Sequence, residues 1–127
     1  MTENITVGQV FQHEKIAEPG ESAAALGSGG LEVFSTPSLV ALFENAAKRG
    51  GDALLPEGFS TVGIDIHVKH TKATRIGKRV RCTATVTAVE GKKLTFQGEM
   101  FDEDGKIGEG THIRYVVNNA DFVKRLS

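Results

Sequence analysis

Between Leu39 and Ala47 the apolar side chains return every three or four positions, as Leu39, Val40, Leu42, Phe43, Ala46 and Ala47. That is the period of an amphipathic helix. Ser35-Thr36-Pro37 precedes it. Proline is favoured in the first helical turn, which predicts Thr36 as the N-cap, and Gly50-Gly51 predicts the stop. Beyond Pro56 and Gly58 the period drops to two. Val62, Ile64, Ile66 and Val68 alternate with Gly63, Asp65 and His67, and Val80, Cys82, Ala84, Val86 and Ala88 alternate with Arg81, Thr83, Thr85 and Thr87. Glu90-Gly91 and Asp104-Gly105 mark hairpin turns. Leu94, Phe96 and Met100 carry the strand between them, and Ile107, Ile113, Tyr115 and Val117 the strand after.

Residues 5–18 predict a first strand, stopped by Pro19-Gly20, and residues 21–30 a loop of small residues. The tail from Asn118 predicts a short helix. The order is therefore strand, long loop, one helix, then four antiparallel strands. An antiparallel sheet with one buried helix on a face is an α+β layer arrangement, and residues 1–127 read as one domain.

Composition narrows the function classes. Lys and Arg number 15 against 16 Asp and Glu, so no broad positive field draws the chain to nucleic acid or an anionic membrane. No apolar run approaches the roughly 20 residues needed to span a bilayer. A single cysteine, Cys82, excludes an internal disulfide and suits a reducing compartment. The first residues lack the pattern of a signal peptide. A cytoplasmic location is expected.

Candidate chemistry is sparse. Glu44 falls about 40° beyond the apolar arc of the helix, where a carboxylate is either solvated or aimed into a cleft. By parity His70 continues the Val62-to-Val68 stripe toward the core, as a hydrogen-bonded core residue or a catalyst. His67 points to the other face, which rules out a metal pair with His70. His112 reads either way. A helix N-terminus at Thr36 offers free N–H groups to an anion or a developing oxyanion. Cys82 alternates with aliphatics and reads as core. Gly108 and Gly110 predict a close approach of backbone or helix. Gly-x-Gly there lacks a following helix, so it is no dinucleotide fingerprint. Lys69, Lys72, Arg75, Lys78 and Arg79 form a basic run, either solvated or facing phosphates.

Three segments carry a resemblance. Phe34-Ser35-Thr36-Pro37 through Leu42-Phe43-Glu44-Asn45-Ala46-Ala47 resembles the central-helix motif of the hotdog-fold acyl-CoA thioesterases, in the fluoroacetyl-CoA thioesterase-like branch. Val62-Gly63 followed by Val68-Lys69-His70-Thr71-Lys72-Ala73-Thr74 resembles that family's histidine strand, and Gly108-Glu109-Gly110-Thr111-His112-Ile113-Arg114 its last strand. The resemblance spans about residues 5–122. It departs at Pro37, where that branch has glycine, and at 20–33, a substrate lid in that branch. It implies a hotdog fold, an antiparallel sheet wrapped around one central helix. Thr36, Glu44 and His70 match catalytic positions, Gly63 a glycine whose N–H lies at the acyl group, and Arg114 an arginine near the pocket.

The implied activity is hydrolysis of a small acyl-CoA thioester, with no cofactor and no metal. Such a reaction needs an activated water or nucleophile, a proton donor for the thiol and donors for the oxyanion. Glu44 would be base or nucleophile, His70 the acid/base and orienting group, and Thr36 a positioning group. Lys72 and Arg75 would meet the coenzyme A phosphates. The family builds its site between two protomers, which implies a homodimer, with a tetramer also open. A non-catalytic acyl-CoA-binding hotdog module is the alternative. A hotdog hydratase would want an Asp/His pair, and none is apparent.

Overall fold

The computed structural model describes residues 1–127. Along the chain run β1 (Val10–Ile16), α1 (Ala23–Leu26), α2 (Thr36–Asp52), β2 (Phe59–His70), β3 (Arg79–Glu90), β4 (Lys93–Asp102), β5 (Gly105–Asn118) and α3 (Asn119–Lys124). The strands form one sheet in the order β1-β3-β4-β5-β2. Every pairing is antiparallel. No helix is long and apolar enough to cross a membrane.

The helical stripe and the strand stripes meet in one core. Leu39, Leu42, Phe43, Ala46 and Ala47 from α2 are buried with Val80, Cys82, Ala84 and Val86 of β3 and Leu94, Phe96 and Met100 of β4. A large aliphatic or aromatic side chain in such a place contributes about 1.5–3 kcal/mol by burial. Leu42→Ala would forfeit that and leave a cavity, at about 2–5 kcal/mol.

Several elements differ from their sequence reading. The helix does not stop at Gly50-Gly51 but runs 17 residues to Asp52. Gly50 is there for packing: a Cβ on it would lie 2.0 Å from Phe11 Cγ. The first strand begins at Val10, not residue 5, because Gly8 at φ 97° turns the chain away from the buried Ile5. The loop at 21–30 is folded back on itself. Ser22 caps the short helix α1, and Ala23 N–H donates to the Val33 carbonyl at 2.8 Å. Ser38 Oγ then ties Glu21 O to the first turn of α2 at 3.2 Å.

The largest correction is in β2. A bulge between Gly63 and Asp65 shifts its register against β5. Thr61 faces inward before it, Ile66, Val68 and His70 after it, and Ile64 is left 57% exposed. One extra residue reverses strand parity, so the Val62–Ile64 half of the expected inward stripe turns out. In β5 the polar His112 and Arg114 are buried with Val116, while Tyr115 is 43% exposed. Gly108 and Gly110 do admit close neighbours, since a Cβ would lie 2.8 Å from Leu39 Cδ2 and 2.0 Å from the His67 carbonyl respectively.

Candidate active site

Two clusters of the predicted residues lie at different levels of α2. The first is at its N-terminus. Ser35, not Thr36, is the N-cap: its Oγ accepts from the Ser38 N–H at 3.1 Å. Thr36 becomes the first helical residue and Pro37 the second, where its missing N–H costs nothing. The Thr36 hydroxyl is thereby free of capping and shares a 2.8 Å hydrogen bond with His70 Nδ1. His70 Nε2 is shielded from solvent and has no hydrogen-bond partner within the chain. Burial holds the His70 pKa below the usual histidine value, with the Lys72 backbone acting in the opposite direction. The ring is therefore neutral near pH 7 and retains one acceptor nitrogen.

The second cluster lies two turns further along the helix. Glu44 is 44% exposed at the side chain, in a shallow hollow of about 230 Å³ with Ala41, Asn45, Lys48 and Arg114. Its Oε2 is 3.9 Å from Arg114 Nη1. Gly63 borders the same spot, since a Cβ there would stand 3.1 Å from Glu44 Oε2, 3.1 Å from His112 Cε1 and 3.3 Å from Arg114 Nη1. Arg114 is only 5% exposed. Its Nε donates to Thr61 Oγ1 at 2.7 Å, Nη2 to the Thr61 carbonyl at 2.8 Å and Nη1 to His112 Nε2 at 3.0 Å. Thr61 Oγ1 donates in turn to Asp52 Oδ1 at 2.8 Å. Burial lowers the Arg114 pKa, opposed by the carboxylates of Asp52 and Glu44.

Thr36 and His70 are thus together, as are Glu44, Gly63 and Arg114, but one chain does not join Glu44 to His70. Eight residues of helix separate Thr36 from Glu44, about 12 Å at 1.5 Å per residue. Lys72 and Arg75 lie exposed on the turn after β2. Arg75 borders a surface depression of about 430 Å³ that Lys78, Asp102 and Asp104 also line. Burial pushes the Cys82 thiol up to about 12, so it is no nucleophile. His67 pairs with Asp65 at 3.1 Å on the outer surface. His112, Thr61 and Asp52 were not assigned a site role by sequence reasoning. The spacing His112-x-Arg114 was the available signal, because alternate residues of a strand share a face.

Comparison with known proteins then decides the family. Residues 18–120 match the model of the family described as fluoroacetyl-CoA-specific thioesterase. The chain belongs to this family. A curated member, the fluoroacetyl-CoA thioesterase of Streptantibioticus cattleyicolor, is 33% identical over 128 aligned positions, covering 96% of this chain and 92% of the relative. A solved fluoroacetyl-CoA-specific thioesterase superposes with a TM-score of 0.90 at 32% identity, over 96% of this chain and 95% of that one. The same protein, as a variant solved with fluoroacetate and CoA, matches at a TM-score of 0.88 and 33% identity, over 93% and 99% of the two chains. A hot-dog-like protein from Thermanaerovibrio acidaminovorans superposes at 0.88 with 26% identity, over 98% and 93%. The hotdog fold expected from the three motifs is the fold observed. As in this thioesterase family, one long helix lies against a five-stranded antiparallel sheet.

Proposed function

We propose that the protein hydrolyses a small acyl-CoA thioester to the free acid and CoA, using Thr36, Glu44 and His70. The observation that carries the site is the Thr36–His70 hydrogen bond, which engages Nδ1 and leaves Nε2 of a neutral imidazole for proton transfer. Glu44, half-exposed in its hollow, takes a proton from water as the water oxygen attacks the thioester carbonyl. Collapse of the tetrahedral oxyanion breaks the C–S bond, and the proton returns to the departing sulfur through His70. Gly63, without a side chain beside Glu44, lets the acyl group approach the backbone. The shallow polar hollow at Glu44 suits a short acyl chain.

The same reading requires a second copy of the chain. β2 pairs with β5 on one side only, so its other edge is open. Two β2 strands pairing antiparallel about a two-fold axis at His67 would set Ile66 opposite the partner's Val68 and, with the bulged Ile64 left unpaired, Gly63 opposite the partner's His70. Glu44 would then meet the partner's Thr36–His70 pair, and the trio would be complete. Lys72 and Arg75, exposed beyond His70, would face the CoA phosphates. A cytoplasmic setting suits the free Cys82 thiol.

The test is release of free CoA thiol from acyl-CoAs of graded length. Turnover is expected to be fastest with short chains, and folded Glu44→Gln and His70→Ala variants to fall by about 10²–10⁴-fold. Tight binding of acyl-CoA with no turnover would instead establish the non-catalytic module.

A further inference from the structure

His112 is 1% exposed on the inner face of β5 and contacts no group of the Thr36–His70 pair. Its two ring nitrogens are both engaged, and the engagement fixes its proton. Arg114 Nη1 can only donate, so His112 Nε2 must be the acceptor, at 3.0 Å. The proton then sits on Nδ1, which donates to the Asp65 carbonyl at 2.8 Å beside the β2 bulge. The ring is further wedged edge-on against Phe43 at 5.4 Å between centroids. His112 is therefore an immobile neutral acceptor, built by the bulge on one side and α2 on the other.

What it holds is the guanidinium. Three of the five Arg114 hydrogens go to Thr61 and His112. One hydrogen of Nη1 remains, on the nitrogen 3.9 Å from Glu44 Oε2. Burying an arginine beside a histidine is a poor device for stability alone, since apolar residues of like volume serve as well or better. Gly63 clears the space in which Glu44, His112 and Arg114 converge.

We propose that His112 is a positioning residue of the hydrolytic site: by accepting from Nη1 it aims the Arg114 guanidinium at Glu44 and so sets where the Glu44 carboxylate stands. The inference rests on the reading of Glu44 as the base. It makes the Asp65–His112–Arg114–Glu44 chain a second support of the reaction, independent of Thr36.

The variants are His112→Phe, which keeps a ring between Phe43 and Phe96 but removes the acceptor, and His112→Gln, whose Oε1 can still accept from Arg114. His112→Leu is a second apolar variant should the phenylalanine not fold. For folded apolar variants kcat is expected to fall by about 10- to 100-fold with KM unchanged, the scale of a misplaced reacting group. His112→Gln is expected to keep most of the rate. In a Glu44→Gln background the apolar change should cost nothing more, because its target is gone. A folded His112→Phe protein with wild-type kcat would overturn the proposal, as would a glutamine variant as slow as the phenylalanine one. An equal loss on top of Glu44→Gln would also overturn it, by showing a general disturbance. Wild-type turnover in Glu44→Gln alone would remove the reading of Glu44 beneath the proposal, and it shows before His112 is touched.

Discussion

Pairing one inactive protomer with another provides a stringent test of how the trio is assembled. Take Glu44→Gln in one chain and His70→Ala in the other, each with a different affinity tag, and purify the heterodimer by both tags in turn. Within a chain Thr36, bonded to His70, is about 12 Å of helix away from Glu44, several times the roughly 3 Å reach of a proton transfer. If the two-fold axis joins Glu44 of one protomer to the partner's His70, the heterodimer holds one site with both lesions and one with neither. Each homodimeric variant should retain about 1% or less of the wild-type rate. The heterodimer should recover about half, since one of two symmetric sites is whole. The assay is thiol release from a short acyl-CoA, with heterodimer composition verified by intact mass. A verified heterodimer as inactive as its parents would refute the shared site, because only a trio contained in one chain is lost in both protomers.

Three further outcomes follow from particular contacts. Because Ser35 caps α2 and Thr36 does not, Ser35→Ala should lower stability by about 1 kcal/mol while Thr36→Ala leaves the melting temperature near wild type and slows hydrolysis; Thr36→Ser should stay largely active, and a destabilised but fully active Thr36→Ala would contradict this. Cys82→Ala should leave turnover unchanged at a cost of roughly 1 kcal/mol, and the native thiol should resist alkylation, since burial pushes it up to about 12; rapid labelling with loss of activity would place it wrongly. His13, His70 and His112 all have pKa values lowered, burial being the main cause in each. Above the ordinary histidine value of about 6.5 both states are neutral and stability is full; as pH falls below it the unfolded chain takes up protons that the fold resists. The melting temperature should therefore decline on acidification, less steeply in His112→Phe, and an equal slope in both would refute that assignment.

Residue order alone determined the long helix and the four strands that follow it, though not the short helix α1 inside the expected loop. Helical spacing from Leu39 to Ala47, alternation from Val62 onward, and the turns at Gly91 and Gly105 all reappear as α2 and the strands, because period and turn chemistry are local properties. The motifs around Thr36, Glu44 and His70 pointed to the family before any contact was known. Parity through β2 was not legible, since nothing in Val62-Gly63-Ile64-Asp65 announces the bulge; the pairing with β5 decides it. Gly50 reads as a helix stop until Phe11, 39 positions earlier, is seen packed on it. Ser35 and Thr36 are equally good caps by type, and the anchoring of Ser38 to Glu21 together with the bond from Thr36 to His70 selects between them. Arg114, His112, Gly63 and Glu44 converge from three elements distant in sequence. That convergence is a property of tertiary packing, where a buried cation must find its acceptors among whatever the fold brings within reach.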